Sequence, residues 1–328
     1  MNDSMQTDFL NPSQAQLKKW ARLDDGKFRR EEGIFIAEGV KVVEELLKSD
    51  WTVKAFLVMP EKIKFWRKIL LSAAEKIPVY QLKRPQWEKI GQDKEPEGIM
   101  ALVEIKPAPK LSSWLTKHEA CALILHEINN PLNLGALMRS ALWFGFSGIV
   151  LSAGSVDYTN PKAVRASMGS IFHLTIIPEV QLTEALPEMK KSFYLIGSDV
   201  REGVPPHPVR ENAALILGNE SHGLPQTILK MTDENWCIPG GKAQSLSLPQ
   251  AAAIMMYEMR KKINAPAGGG DSGGGKTWRR SFKPQKTADH LQVTRTTRAM
   301  NFIHLRPDFI GTPLPAEDSL YFPPAGGS

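Results

Sequence analysis

Between residues 119 and 263, short apolar runs alternate with stretches whose apolar residues recur at helical spacing, and this alternation restricts the fold more than any other feature of the chain. Strand-like runs occur at 121–126, Ile149–Leu151, Ile171–Ile177, Phe193–Gly197, Ala213–Leu217 and Trp236–Ile238. Helical patterns separate most of them. Strands joined through helices pair in parallel, so the expectation is an α/β fold with a doubly wound parallel sheet. Such sheets bind ligands outside the carboxyl ends of their strands. Residues 1–106 hold a smaller alternating unit, with strands at Ile34–Ala37, Val53–Val58, Val79 and Ile99–Val103 and helices at Val40–Leu47 and Ile63–Ala74. Lys106-Pro-Ala-Pro-Lys110 begins a stiff joint spanning 107–118. A chain of 328 residues with 42% hydrophobic content is long enough for two such cores.

Three of the strand-like runs lead into loops rich in Gly, Pro and polar residues. The first, Asn130-Pro-Leu-Asn-Leu-Gly-Ala-Leu-Met-Arg139, passes into a helical pattern that continues to Phe144. Asn133 falls near the helix start, where an amide side chain is a favoured cap, and Arg139 falls about two turns further in. A guanidinium there offers a fixed fork of donors suited to phosphate oxygens. A plain capped helix with a surface arginine fits the same residues. In the second loop, Leu217-Gly-Asn-Glu-Ser-His-Gly-Leu224, Gly218, Asn219 and Glu220 let the backbone turn sharply and come close to a bound molecule. An ordinary strand-to-helix turn, with Glu220 favoured near a helix N-terminus, fits as well. The third, Ile238-Pro-Gly-Gly-Lys-Ala-Gln-Ser-Leu-Ser-Leu248, is a long loop before a helix at Pro249–Met259, capped by Ser247 with Pro249 in its first turn. Its backbone groups can hold an adenine edge and a ribose.

In this order and spacing the three loops resemble the signature motifs of the SpoU/TrmH branch of the SPOUT methyltransferases, a resemblance that covers residues 12–262. It implies an enzyme that uses S-adenosyl-L-methionine to methylate a ribose 2'-hydroxyl of structured RNA, tRNA or rRNA. It also implies that the C-terminal segment of the sheet threads a trefoil knot, one of the rare exceptions to unknotted chains. Gly218, Asn219, Ile238, Leu246 and Ser247 match cofactor-binding positions, while Asn133, Arg139, Glu220 and Ser245 match polar positions tied to catalysis and RNA placement. One position departs. Family members usually read Ser-Leu-Asn where this chain has Ser245-Leu246-Ser247, so a hydroxyl replaces an amide's paired donor and acceptor. That departure keeps open a catalytically impaired RNA-binding protein of the same fold; a base-directed enzyme is the other alternative. Family members build each RNA site from two protomers, which implies a homodimer, with Met168, Met255, Met256 and Met259 as available apolar surface or as plain core.

Phe35-Ile-Ala-Glu38-Gly39 followed by a helix resembles the L30e-like substrate-binding domain that precedes the catalytic domain in many members, implying RNA capture by residues 1–106. Basic residues cluster there at Lys18, Lys19, Arg22, Lys27, Arg29 and Arg30, and again at Lys62, Lys64, Arg67 and Lys68. They could neutralise several phosphates or form only a solvated face. A formal charge of +6 favours an anionic partner without identifying it.

No apolar run approaches the roughly 18–20 residues of a membrane span, and Met-Asn-Asp-Ser-Met-Gln-Thr-Asp lacks the basic-then-apolar layout of an export signal. A soluble, cytoplasmic chain is expected. The two cysteines, Cys121 and Cys237, fall within strand-like runs and indicate neither a disulfide framework nor a zinc site. From 264 onward the composition turns to a Gly-rich linker and a disordered basic tail, with seven basic residues against one acidic between Lys276 and Arg298 and with Trp278 and Phe282 interleaved. Such a tail can order on RNA or do little. Gly270-Asp-Ser-Gly-Gly-Gly-Lys-Thr277 fits a phosphate-loop pattern but has no strand before it and meets Pro284 too soon for a firm helix.

Overall fold

The computed structural model describes residues 9–73, 77–116, 121–209, 212–240 and 246–261. Ser245 and the tail from 262, with the expectations attached to them, lie outside the described residues. The N-terminal unit runs β1 (Phe9–Leu10), α1 (Gln14–Ala21), α2 (Gly26–Glu32), β2 (Ile34–Glu38), α3 (Val40–Leu47), β3 (Val53–Val58), α4 (Ile63–Ala73), β4 (Val79–Gln81), α5 (Arg84–Trp87) and β5 (Ile99–Glu104). Its sheet has the order β1-β4-β3-β5-β2, with β5 antiparallel to both neighbours. The helix starts are set locally. Ser13 Oγ accepts from the Gln16 amide while Gln16 Oε1 accepts from that of Ser13, and Asp25 accepts from the Phe28 amide at 2.7 Å. Phe35, Ala37, Phe56, Val58, Ala101 and Val103 are buried on one face of this sheet, where the apolar sides of α3 and α4 cover them.

The second unit runs α6 (Leu111–Leu115), β6 (Ala122–Leu125), α7 (Pro131–Trp143), β7 (Gly148–Ser152), α8 (Pro161–Ala166), β8 (Thr175–Val180), α9 (Leu182–Met189), β9 (Tyr194–Ser198), β10 (Ala213–Leu217), α10 (Gln226–Leu229), β11 (Glu234–Trp236) and α11 (Leu248–Arg260). Its six strands lie in the order β11-β9-β10-β6-β7-β8, and every pairing is parallel. β6, β7 and β10 are buried along their whole length, as expected for strands covered on both faces. α6 lies within the proline-rich joint and buries Trp114, whose ring stacks on Phe193 at 5.7 Å. No described helix is long and apolar enough to cross a membrane.

Three expectations need correction. The run Ile171–Ile177 is not one strand: Ser170–His173 forms a 3-10 turn, and β8 begins only at Thr175. Ile171 and Phe172 are buried in that turn because they face the N-terminal unit, with Phe172 against Phe35 at 6.4 Å and Trp51 at 5.7 Å. The final strand is Glu234–Trp236, two residues earlier than its apolar run suggests; Trp236 makes an isolated parallel bridge with Val204, and the Cys237 amide donates to the Val204 carbonyl as part of it. Met255, Met256 and Met259 belong to the core, leaving Met168 as the exposed one of the four.

A polar seam fixes one unit against the other. Arg29 of α2 is 1% exposed, with its guanidinium donating to the carbonyls of Leu23 and Asp24, to Thr159 Oγ1 and to Asp157 Oδ2 at 2.7–3.1 Å. Arg29 is therefore not a surface contact for RNA, as its place in a basic cluster suggested: its donors are spent inside the protein. Nearby, Arg165 of α8 pairs with Asp93, and His173 meets Glu45 at 3.0 Å. Burial opposes ionisation of Glu45, but hydrogen bonds from Lys41, Lys48 and His173 outweigh it and hold the carboxyl at about 2. Removing one partner of a buried pair leaves the other charge uncompensated. Arg29→Met is expected to destabilise the protein by about 3–5 kcal/mol, read by denaturant unfolding; a loss below about 1 kcal/mol would place the seam among weak surface pairs.

Candidate functional site

β6 and β10 are adjacent and parallel, in register from Ala122 opposite Ala214 to Leu125 opposite Leu217. From β6 the chain winds outward through β7 and β8, then returns to build β9 and β10 on the other side. This is the point of strand-order reversal where open α/β sheets form a crevice. The first and second sequence loops leave from these two strands, side by side.

At the head of the first loop, the Leu217 carbonyl accepts from the His126 amide at 2.9 Å. Glu127 then adopts φ +51°, and its own amide donates to Ser152 Oγ at 2.8 Å. The helix cap is Asn130, not Asn133: its side chain accepts from the Leu132 amide at 2.9 Å, and Pro131 takes the first helical position. Asn133 is thereby released from capping. Its Nδ2 donates to Glu220 Oε1 at 3.0 Å.

The second loop is a tight turn in which the Gly223 amide donates to the Asn219 carbonyl at 2.9 Å. A Cβ on Gly218 would lie 2.2–2.4 Å from backbone atoms of Gly223 and Leu224, so only glycine fits this crossing. Asn219 Nδ2 donates to the Glu127 carbonyl at 2.8 Å, and Asn219 Oδ1 accepts from the Ser221 amide at 2.8 Å. The Glu220 carboxylate accepts, at 3.4–3.5 Å, from the amides of Asn129 and Asn130 as well as from Asn133. Glu220 and Asn219 thus tie both loops together through bonds between residues 87 to 92 positions apart.

Arg139 is not brought to this cluster. It lies about 9 Å along the axis of α7 from Asn133, exposed and without an ion pair or hydrogen bond among the described residues. Leu132 and Trp143, 55% and 76% exposed, lie on the same stripe of the helix. α11 packs against α7 and adds Ile254 and Tyr257 to this outer apolar surface, with Tyr257 against Phe144 at 6.4 Å. Helical spacing of Leu132, Arg139 and Trp143 carried the signal for this face, which the motif reading passed over.

Residues 238–240, at the start of the third loop, follow β11 at the sheet edge, and Leu246 and Ser247, at its end, lead into α11 beside α7. Among the described residues the amides of Ile238 and Gly240 have no hydrogen-bond partner, and the space beside Gly240 is open. Leu246 is exposed at the far end of the loop. Ser247 caps α11, its amide and hydroxyl both donating to Gln250 Oε1, at 3.3 and 3.0 Å. Of the N-terminal basic residues, Lys18, Lys19, Arg22 and Arg30 are exposed. Lys19 pairs with Glu32, Arg22 lies over the Phe28 ring at 3.9 Å, and Arg30 is 3.9 Å from Asp157.

A parallel sheet whose first and second loops meet at its reversal point defines an α/β protein with a composite crevice. Comparison with known proteins gives this class a name. Residues 120–257 match the SpoU rRNA Methylase family, and residues 14–101 match the MRM3-like substrate binding domain. The chain is 31% identical over 249 residues to the 23S rRNA (guanosine(2553)-2'-O)-methyltransferase RlmP of Bacillus subtilis, covering 75% of this chain and 96% of that relative. Among solved structures, the SpoU methyltransferase AviRb of Streptomyces viridochromogenes, in complex with AdoMet, aligns with TM-score 0.66 and 25% identity over 75% of this chain and 97% of that one. A TrmH-family protein of Porphyromonas gingivalis aligns with TM-score 0.64 at 25% identity, covering 76% and 98% respectively. The chain belongs to the SpoU methylase family.

Bonds to a charged acceptor contribute about 1.5–3 kcal/mol. Glu220→Ala is therefore expected to speed hydrogen exchange of the Asn129 and Asn130 amides by about tenfold or more, with the melting temperature near that of the parent. Unchanged protection would show that these long bonds carry no weight.

Proposed function

We propose that this protein transfers a methyl group from S-adenosylmethionine to a ribose 2'-hydroxyl of tRNA or rRNA. The observation that carries the reading is the Glu220 tie to Asn133 and to the Asn129 and Asn130 amides, which closes two loops into one crevice in a chain of the SpoU family. The cofactor fits the residues present: the amides of Ile238 and Gly240, without a partner among the described residues, suit an adenine edge and ribose oxygens, and Leu246 offers an exposed apolar side chain. Gly218, Asn219, Ile238, Leu246 and Ser247 are the residues we assign to hold it. When bound, it supplies an electrophilic methyl group.

The chain's own contribution is alignment, which can lower such a barrier by several kcal/mol. Glu220 holds the first loop in place, and Asn133, bonded to it, keeps one Nδ2 hydrogen and its carbonyl oxygen for the substrate sugar. Ser245 is assigned to orient the same sugar. Arg139 offers a fixed fork of donors and no acceptor, which suits a phosphate beside the target ribose and not general-base duty. Residues 1–106 are read as the RNA-capture domain, 107–118 as its joint and 119–263 as the catalytic domain.

A homodimer belongs to this reading. The stripe of Leu132, Arg139 and Trp143, flanked by Ile254 and Tyr257, supports it, because a large exposed apolar face is characteristic of an association surface. Burying it against a second copy would carry Arg139 to the partner's crevice. The placing of β11 at the sheet edge and of α11 beside α7 is compatible with a trefoil knot, and an RNA substrate of this class supports a cytoplasmic location.

Incubation with methyl-labelled cofactor and total RNA, followed by digestion to nucleosides, is expected to give label on ribose; label on a base, or none, would refute the assignment. Arg139→Ala is expected to lower methylation by about a hundredfold or more with cofactor affinity by calorimetry unchanged, and equal loss of both would make the residue structural. Sedimentation is expected to give a dimer at micromolar concentration, and Trp143→Glu a monomer; a monomeric parent would overturn the two-protomer site.

A further inference from the structure

α4 presents its core through Ile63, Trp66 and Leu70: Leu70 is 1% exposed, Ile63 and Trp66 pack partly buried against the main core, and Trp66 Nε1 donates to the Glu97 carbonyl at 3.1 Å. Phe65 lies off that face. Its side chain is 71% exposed, so the ring contributes little to the packing of the helix. Basic residues flank it in sequence. Lys62 Nζ is 5.7 Å from the ring centroid, with its stem lying across Gly98, and Lys64 and Arg67 are exposed on either side in sequence. None of these three cations has an ion-pair partner among the described residues, and the nearest acid in sequence is Glu61, in the 3-10 turn before α4. A phenyl ring held open to solvent beside Lys62, on a helix whose exposed surface also carries Lys64 and Arg67, matches a nucleotide: the base stacks on the ring and the phosphates meet the cations of that surface. A duplex hides its base faces and satisfies only the charges. A protein partner with an apolar knob would leave the cations unmatched.

We propose that Phe65 is a stacking platform for an unpaired base of the RNA substrate, with Lys62 beside the ring and Lys64 and Arg67 meeting phosphates further along the strand. The proposal rests on the assignment of RNA as substrate and adds to it a contact on the N-terminal unit, away from the unit that carries Glu220. It requires a substrate with a single-stranded nucleotide apart from the methylated ribose. Because this contact is made equally before and during methyl transfer, losing it raises KM and leaves kcat in place.

The full-length protein and its Phe65→Ala, Phe65→Trp and Phe65→Leu variants can be titrated with an oligoadenylate of about 12 nucleotides and with a blunt duplex of equal length. Stacking on an aromatic side chain is worth roughly five- to hundredfold in affinity. The expected result is that loss for oligoadenylate in the alanine and leucine variants, retention in the tryptophan variant with quenching of its fluorescence, and unchanged duplex binding. S-adenosylmethionine uptake by calorimetry is expected to be the same in all four proteins. Unchanged oligoadenylate affinity in the alanine variant, wild-type affinity in the leucine variant, or no binding by the parent would each overturn the proposal. So would a change in sedimentation of the alanine variant without a change in RNA affinity, which would mark Phe65 as a protein contact. Absence of ribose label in the parent would instead refute the enzyme assignment, whatever Phe65 does to RNA affinity.

Discussion

The buried guanidinium of Arg29 determines how the two units of this protein stand to each other. A charge with no access to water must find every partner within the protein, and Arg29 does so with carbonyls of its own unit and with Asp157 and Thr159 of the other. Asp157 Oδ1 in turn accepts from the amide and hydroxyl of Thr159 at 2.8 and 2.7 Å, which fixes the turn that Asn160 caps into α8. α8 packs on α7 so closely at Gly135 that a Cβ there would lie 2.4 Å from the Cβ of Ala166. α7 carries Asn133. A chain of short, specific contacts thus runs from the N-terminal unit to the crevice, each link either fully hydrogen-bonded or too close to slide.

The crevice depends on a different economy. Parallel strands bring the ends of β6 and β10 together, but adjacency alone leaves two loops free to splay. One carboxylate prevents this by accepting from two backbone amides and one side-chain amide of the neighbouring loop, and Asn219 adds the reciprocal bond to Glu127. The acid organises backbone of the neighbouring loop. That role explains why the loops can present donors such as the Ile238 and Gly240 amides while the polar side chains of the motif hold position.

Much of this was legible without coordinates, and the exceptions share a cause. β10 was readable to the residue because it is a continuous apolar run between Asn212 and Gly218, and β3 was too, its apolar run broken only at Lys54. Ile171–Ile177 looked the same, yet its first half is a turn, because apolar composition records burial and not the conformation that achieves it. Arg29 sits among basic residues, and nothing local distinguishes it from Arg30: its burial depends on Asp157, 128 positions away. The capping residue was available locally, since Asn130 precedes Pro131, and proline favours the first helical position. Asn133 and Glu220 were each legible as polar positions of a motif, whereas their bond depends on which strands lie side by side.

The first motif also shows what a helix can and cannot do for a site. Six residues separate Asn133 from Arg139, which sets the two side chains about 9 Å apart along α7 and roughly 120° around it. Both cannot face Glu220. Asn133 points into the crevice of its own chain, while Arg139 shares the outer stripe with Leu132 and Trp143, where it is free to meet another molecule. A pattern read as one cluster in sequence is divided by the helical period into a part that organises this chain and a part directed away from it, and the apolar residues flanking the arginine are what give the second part a surface to act from.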